Sequence, residues 1–262
     1  MMVSCSKNIH KANRSRKIWL DACGIPYVVL IGDPYLQEEY AYDSNTKTLT
    51  LRCMDDYEHL STKVYMGVRA LHIMFRPTGI LKVDDDVLVR VPRLQEFSRM
   101  SGKPSYVGTV STFTGYMSTY HKGKCTDTSL NAQSFYVPQN VKYCFGAMYY
   151  IDAKAIRCLI KNMDPKKHIY EDVLIGMVLN ACKIYPVQFP WLTEHLVTFL
   201  MMKEYIAFHD VRSTNNFTYI VSTFDLNKSI GEWMLLFLLF YICILLITTL
   251  ILWNAPRIIM FK

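Results

Sequence analysis

The chain has 262 residues, a formal net charge of +7 at pH 7 and 51% hydrophobic residues. That length supports one substantial hydrophobic core and excludes several large domains. The basic residues form small, separated clusters rather than a dense stripe interleaved with aromatic side chains, so the composition argues against nucleic acid as a partner. A modest positive excess instead suits a small anionic partner or an anionic membrane surface.

The first part of the chain alternates apolar runs with polar or amphipathic segments. This pattern predicts the end of a short strand at Met1–Ser6, a basic loop over Lys7–Arg16, a short helix over Ser15–Ala22, and strands over Pro26–Gly32 and Leu49–Cys53, separated by polar Glu38–Thr48. A long helix follows, which we expect to be capped by Asp55 or Asp56 and to end at Phe75. Gly67 within it allows close packing.

The stretch after this helix carries the strongest chemical signal. Ile80–Val83 is a short buried strand that leads directly into Asp84, Asp85 and Asp86. Three adjacent carboxylates repel one another and are costly to bury without a counter-charge. A divalent cation that prefers oxygen ligands, such as Mg²⁺ or Mn²⁺, is a natural partner, and an ordinary acidic loop is the alternative.

The second part of the chain continues the alternation. It predicts a strand over Ser105–Val110, a mobile polar loop over Ser111–Gln133, a strand over Lys142–Ile151, a helix over Ala153–Asn162, a buried helix that begins at Glu171–Asp172, and a short apolar run ending at His209–Asp210. Gly146, inside a strand, indicates a bulge or a close backbone approach. The two acids fall in the first turn of their helix, where the macrodipole favours anions.

Alternation of strands and helices indicates an α/β layer with a mainly parallel sheet. Ligands of such sheets bind beyond the carboxyl ends of the strands. The triplet Asp84–Asp86 occupies such an end, so we expect the functional site there.

The hydrophobic excess is concentrated near the carboxyl terminus. Trp233–Trp253 is a run of 21 residues without a charge, about 31 Å long as a helix, which is enough to cross a bilayer. Tryptophans at both ends match interfacial anchors. We therefore expect a globular domain over 1–225, a linker over 226–232, a transmembrane helix over 233–253 and a short tail over 254–262.

The side of the membrane is left open. Met1–Arg16 is polar and basic, so no signal peptide is expected, and a tail anchor of this kind leaves the domain in the cytosol. However, Arg257 and Lys262 follow the span whereas Asp225 and Glu232 precede it, which favours a cytosolic tail.

Seven of the eight cysteines lie outside the predicted span, and none of them forms a CxxC or another zinc spacing. They are therefore expected to be buried thiols or to form up to three disulfides, which leaves the redox compartment open.

Five motifs, in this order, resemble the β-1,3-galactosyltransferase family, which includes fringe-like and β-1,3-N-acetylglucosaminyltransferase enzymes. They are Arg14-Ser-Arg16-Lys-Ile-Trp19, Asp56-Tyr57-Glu-His-Leu60-Ser-Thr-Lys63, Leu81-Lys-Val-Asp84-Asp85-Asp86-Val, Tyr143-Cys-Phe-Gly146-Ala-Met-Tyr149 and Glu171-Asp172-Val173. The resemblance covers about Val3 to Asp210. The chain departs from the family pattern at Ile18, His59, Ser61, Ala147 and Met148, and in carrying its predicted anchor at the carboxyl rather than the amino end.

The resemblance implies a GT-A fold, a Rossmann-like, mainly parallel mixed sheet flanked by helices, here with one C-terminal transmembrane helix. It implies inverting transfer of a hexose or N-acetylhexosamine, galactose or N-acetylglucosamine, from a UDP-sugar to a hydroxyl of a glycan or glycoprotein in β-1,3 linkage. A Golgi or ER membrane is the expected location, with a viral or host-cell membrane as an alternative.

The same resemblance implies roles for particular residues. Mn²⁺, or Mg²⁺, is expected to bind Asp84, Asp86 and His209, with Asp84 and Asp85 also close to the donor. Asp172 is expected to be the general base that takes the acceptor's proton. Arg16 and Lys63 are candidates for contacts with the donor nucleotide.

Three other classes of protein share part of this pattern. Haloacid-dehalogenase-like phosphatases also place Asp-x-Asp after a strand, but their pattern requires Thr or Val at the position of Leu88. A calcium loop would require a Gly and a bidentate Glu at offsets where this chain has neither. The remaining alternative is a membrane-anchored inactive relative that keeps the fold as a binding module.

Overall fold

The computed structural model describes residues 1–111, 113–189, 192–193, 206–209, 238–242 and 244. Its strands are β1 (Met2–Val3), β2 (Val29–Gly32), β3 (Tyr40–Asp43), β4 (Thr48–Leu51), β5 (Gly79–Asp84), β6 (Leu88–Val89), β7 (Tyr106–Val110), β8 (Tyr116–Ser118), β9 (Phe135–Val137), β10 (Cys144–Asp152), β11 (Val187–Gln188), β12 (Leu192–Thr193) and β13 (Ala207–Phe208). Its α-helices are α1 (Ile9–Ser15), α2 (Leu60–Phe75), α3 (Val91–Arg99), α4 (Thr128–Asn131), α5 (Ala153–Asn162) and α6 (Glu171–Ala181).

The main sheet has eight strands in the order β11-β7-β10-β5-β1-β2-β4-β3. Strands β4, β2, β1 and β5 are parallel neighbours, whereas β10 lies antiparallel between β5 and β7, and β3 is antiparallel to β4. Because β11 is parallel to β7, only β3 and β10 run against the other strands of this sheet. The prediction of a mainly parallel mixed sheet flanked by helices is confirmed.

Both faces of the sheet are buried. Because consecutive strand residues point to opposite sides, neighbouring residues of one strand enter different core clusters. Val29 packs in the cluster that contains Trp19 and α3, whereas Leu30 packs in the cluster that contains α2, α5 and α6. Gly67 faces Leu30, and a Cβ atom at Gly67 would lie 2.3 Å from Leu30 Cδ1. Glycine at this position therefore lets α2 approach the sheet closely, as predicted.

Several predicted boundaries are wrong. The supposed basic loop Lys7–Arg16 contains α1, which buries Ala12 and Ser15 and is followed by a π-helical turn over Arg16–Leu20. Helix α2 begins at Leu60 rather than at Asp55 or Asp56, because Asp55 accepts hydrogen bonds from other segments. The supposed loop Ser111–Gln133 contains β8 and α4. Helix α5 was predicted with its correct bounds.

The predicted transmembrane helix, 233–253, lies largely outside the described residues. Residues 238–242 and 244 are helical, and their apolar side chains are exposed. Among the described residues, we found no helix that is both long enough and apolar enough to cross a membrane.

One disulfide is present among the described cysteines. It joins Cys158 on α5 to Cys182 at the end of α6, across a sequence separation of 24. The described cysteines without a disulfide are Cys5, Cys23, Cys53, Cys125 and Cys144.

Replacing Cys158 and Cys182 together by Ala is expected to lower the free energy of unfolding by about 3 kcal/mol, since a cross-link over a loop of this length restricts the unfolded chain. Urea unfolding followed by circular dichroism would measure the change. Cys5→Ala serves as the control, because Cys5 forms no disulfide. A reductant that destabilised the double variant as much as the wild type would contradict the assignment.

Candidate active site

The three aspartates lie at the end of β5, at the carboxyl edge of the parallel strands, but their side chains have different environments. Asp84, the last residue of β5, places Oδ1 2.6 Å from Lys82 Nζ. Both side chains lie on the same face of the strand, two residues apart. Burial, the largest effect, raises the pKa of Asp84 to about 6, although Lys82 opposes it. Asp84 is therefore held by a buried lysine.

Asp85 is directed towards the end of β1. Its Oδ2 accepts a hydrogen bond of 2.7 Å from Ser4 Oγ, and its side chain is buried. Burial raises the pKa of Asp85, while Ser4, Lys11 and Lys63 act in the opposite direction. This aspartate ties the acidic turn to the neighbouring strand.

Asp86 faces a residue from a distant part of the chain. Strand β13 pairs antiparallel with β6, with Phe208 opposite Leu88, and this pairing brings His209 next to the acidic turn. His209 Nε2 lies 3.6 Å from Asp86 Oδ1. Asp86 Oδ1 is buried and accepts no hydrogen bond from the part of the chain that the structure describes.

A buried carboxylate oxygen without a hydrogen-bond donor, beside an imidazole nitrogen, is a donor pair that suits Mn²⁺ or Mg²⁺. Over the described ranges, the structure gathers no group of three or more His, Cys, Asp or Glu side chains able to hold a metal ion. The described residues thus bring together two candidate ligands, Asp86 and His209, whereas Asp84 contacts Lys82.

Asp172 lies in the first turn of α6, a different element from the one that carries the acidic turn. Its Oδ1 accepts a hydrogen bond of 2.8 Å from the Val173 amide, and its Oδ2 accepts one of 3.1 Å from the Gly146 amide. Burial raises the pKa of Asp172, and these two amides together with Lys82 oppose that effect. The carboxylate is thus held in one orientation while its proton affinity is increased.

Gly146 lies where β10 is irregular. The pairing of β10 with β7 changes register between Cys144 and Tyr149, as the glycine inside this strand predicts. A Cβ atom on Gly146 would lie 3.4 Å from Asp172 Cβ. The absence of a side chain at Gly146 therefore lets the strand donate its amide to Asp172 at close range.

A buried charge network connects the two sides of the site. Lys82 Nζ donates to the carbonyl oxygen of Gly146 and lies 3.7 Å from Glu171 Oε2. The hydroxyl of Tyr149 donates to Glu171 Oε1. Burial would lower the pKa of Lys82, but Asp84, Glu171 and Asp172 outweigh burial and raise it, so the amine stays protonated. Burial raises the pKa of Glu171 to about 7.

The two cations predicted for the donor side have other partners. Lys63 is buried, lies 2.6 Å from Asp55 Oδ1 and donates to the carbonyl of Ser4 at 2.9 Å. It thus links the segment after β4 to the segment after β1. Arg16 donates to Thr48 Oγ1 at 2.9 Å. Because Thr48 begins β4, Arg16 lies towards the opposite edge of the sheet from the acids. The structure does not bring Arg16 to the site.

A different arginine lies near the acids. Burial lowers the pKa of Arg14, and the charges of Asp85 and Asp86 oppose this change, which places the Arg14 guanidinium in their field. Sequence reasoning singled out the motif that contains Arg14 but assigned the role to Arg16. It gave no site role to Lys82 or Glu171, although both stand inside the quoted motifs. A lysine inside an otherwise apolar strand is a usable signal, since lysine is rarely fully buried unless paired.

Replacing Glu171 by Gln is expected to change how stability depends on pH. The pKa of Glu171 is about 7 in the folded protein, above its ordinary value of 4.5. The wild type should therefore lose stability relative to Glu171→Gln as pH rises from 4.5 through 7, by on the order of 2–3 kcal/mol. Urea unfolding at pH 5 and pH 8 would measure this difference.

Glu96→Gln is the matched control, because it makes the same substitution at a side chain that is 63% exposed. A difference between wild type and Glu171→Gln that stayed constant over this pH range would contradict the assigned environment of Glu171.

The solved structures that match this chain include two glycosyltransferases. One is the galactosyltransferase LgtC in complex with donor and acceptor sugar analogues, with a TM-score of 0.48 and 12% identity, covering 89% of this chain and 98% of that one. The other is the bifunctional glycosyltransferase WbbM, with a TM-score of 0.44 and 10% identity, covering 81% of this chain and 45% of that one. A search of curated proteins found no match.

The sequence itself matches a family model described as Galactosyltransferase over residues 35–190. This segment is more than half of the chain and contains Lys82, the three aspartates of the acidic turn, Gly146 and Asp172. His209 lies beyond it. The protein therefore belongs to the Galactosyltransferase family and is a glycosyltransferase.

Proposed function

We propose that the protein is a metal-dependent, inverting hexosyltransferase. It would move galactose or N-acetylglucosamine from a UDP-sugar to a hydroxyl of a glycan or glycoprotein, in β-1,3 linkage. The observation that carries the proposal is the contact between Asp86 and His209, 3.6 Å apart, on the same edge of the sheet as Asp172. The pair Asp86 and His209 suits a metal ion that binds the diphosphate, and the carboxylate of Asp172 suits a general base.

The cation would be held by Asp86 and His209, the pair with the unpartnered buried oxygen. A divalent cation bound there would neutralise negative charge on the diphosphate leaving group. Asp84 would lie next to the cation without being one of its two main ligands, since its carboxylate is paired with Lys82. Asp85 would hold the turn through Ser4.

Positive side chains around the acidic turn favour an anionic donor. Arg14 and Lys11 from α1 lie in the field of the aspartates, and Lys63 and Lys82 are buried beneath them. These cations offset part of the negative charge of the acidic turn, which would otherwise repel an anionic ligand. A nucleoside diphosphate sugar fits this arrangement.

Asp172 would act as the general base. The acceptor oxygen attacks the anomeric carbon from the face opposite the diphosphate, the bond from that carbon to the diphosphate breaks, and the acceptor's proton passes to an Asp172 oxygen. UDP leaves with the electron pair, and the configuration is inverted. Burial raises the pKa of Asp172, which brings its proton affinity closer to that required near neutral pH. The amides of Val173 and Gly146 keep the carboxylate oriented.

Replacing Asp86 by Ala is expected to abolish Mn²⁺-dependent hydrolysis of UDP-sugars, because a cation ligand is lost. Asp172→Asn should instead lower the rate of transfer to an acceptor hydroxyl by about 10²- to 10⁴-fold, the usual contribution of a general base. A panel of UDP-sugars, assayed with Mn²⁺ or with EDTA, would measure both effects and identify the donor.

Glu39→Gln is the control for removing a carboxylate, because Glu39 forms a half-exposed ion pair with Arg69 beside the edge strand β3. It should leave both rates unchanged. Metal-independent hydrolysis, or full activity in Asp86→Ala, would refute the metal role. A folded wild type that neither binds UDP with Mn²⁺ nor turns over any UDP-sugar would favour the inactive binding module.

The proposal also includes a membrane anchor at 233–253 and a Golgi or ER location, supported by the 21 uncharged residues between Trp233 and Trp253. In cells that express the full chain, the protein should stay in the membrane pellet after extraction with alkaline carbonate. A variant ending before Trp233 should be released. Release of the full chain by carbonate would refute the anchor.

A further inference from the structure

Lys82 is fully buried in the middle of the sheet, an unusual place for a lysine. Burying an ammonium group is costly unless it is paired and hydrogen-bonded. Each contact of Lys82 leads to a different part of the site: Asp84 at 2.6 Å, the carbonyl of Gly146, and Glu171 at 3.7 Å. The lysine therefore sits between the acidic turn and the first turn of α6.

Gly146 connects Lys82 to the proposed base. Its carbonyl oxygen accepts from Lys82, and its amide donates to Asp172 Oδ2 at 3.1 Å. The residue is thus held at its carbonyl by the lysine while its amide orients the carboxylate. Because β10 is irregular between Cys144 and Tyr149, ladder hydrogen bonds to β7 do not hold Gly146 in place. The lysine supplies the missing constraint.

Glu171 provides a second connection. Its carboxylate receives the hydroxyl of Tyr149 and faces Lys82, and it belongs to the same helical turn as Asp172. The lysine thereby fixes the start of α6 from within the sheet. Both routes, through Gly146 and through Glu171, end at Asp172.

We propose that Lys82 is a positioning residue that sets the distance and orientation of Asp172 relative to the acidic turn, without touching the substrate. Its amine lies beneath the site, between Asp84 on the donor side and the two groups that hold the base. This inference rests on the proposed function, because it assigns a role in that transfer reaction. It adds that Lys82 couples the acidic turn, where the donor would bind, to Asp172, which would remove the proton.

The alternative is that Lys82 only balances buried charge and contributes to stability. The two roles differ in what a variant would do while folded. A stability role changes the free energy of unfolding and leaves the kinetics of the folded fraction intact. A positioning role changes kcat in the folded protein. It also predicts different effects of the two variants, because Lys82 contacts both the acidic turn and α6, whereas Glu171 belongs to α6 alone.

The test compares Lys82→Met and Glu171→Gln with the wild type. Lys82→Met removes every contact of the amine, including the one that holds Asp84 in the acidic turn. Mn²⁺-dependent binding of UDP should therefore weaken about tenfold, as when a group that orients a metal-binding turn is removed. Its kcat for transfer should fall about 100-fold, as expected when a catalytic group is misplaced by about 1 Å. Glu171→Gln removes only the contact on the α6 side. It should lower kcat while the Kd for UDP and the KM for the donor stay unchanged.

Asp152→Ala is the control for stability. Asp152 caps α5 and accepts a hydrogen bond of 2.7 Å from Ser105, at the end of β10 far from Gly146. This variant should lose about 1 kcal/mol of stability, the usual cost of a lost cap, with kcat and KM as in the wild type.

The outcomes separate the inference from the proposed function. A wild type without Mn²⁺-dependent turnover of any UDP-sugar would overturn the proposed function, and this inference with it. An active wild type with an unchanged kcat in both folded variants would overturn the inference alone. If Lys82→Met does not fold, Glu171→Gln decides: a lower kcat at constant donor KM supports positioning, and an unchanged kcat overturns it.

Discussion

The burial of one lysine among four carboxylates is the constraint on which the site depends. Asp84, Glu171 and Asp172 lie in the field of Lys82, and Asp86 is close enough to affect Asp84. Without a central cation, mutual repulsion and desolvation would force these acids to take up protons or to move apart. The lysine permits a dense group of carboxylates at the edge of a buried sheet. In the proposed function, that density would let one site hold both a metal-bound diphosphate and a base.

The topology then arranges these groups. Strand β10 enters the sheet antiparallel between β5 and β7, so its first residues lie beside the last residues of β5. A parallel strand would have placed its amino end at the opposite edge. The reversed strand therefore brings Gly146 to the acidic turn, and the irregular register frees its amide and carbonyl for Asp172 and Lys82. Strand β10, the antiparallel strand inside the sheet, thus also positions the residues of the site.

Local pattern predicted what depends on local physics. The α/β class, the strand before Asp84, the bounds of α5 and the close packing at Gly67 follow from periodicity, caps and the absence of a side chain. The prediction failed where distant partners decide. Asp55 does not cap α2, because its carboxylate binds Lys63, Ser6 and Gly32, which come from three other segments of the chain. Arg14 and Arg16 are indistinguishable by composition, and only the placement of α1 shows which one faces the acids. The same is true of Lys82, whose partners come from β10 and α6.

The pairing of β6 with β13 has a consequence for how the site is assembled. Every carboxylate of the site lies before residue 173, whereas His209 arrives by a strand pairing that joins residues 88–89 to residues 207–208. Closing so long a loop costs chain entropy, and the favourable contacts that offset this cost form only once the strands have paired. During synthesis from the amino end, the acids would be in place before the imidazole leaves the ribosome. The imidazole–carboxylate pair is thus a property of the finished domain and cannot form in the segment that defines the family.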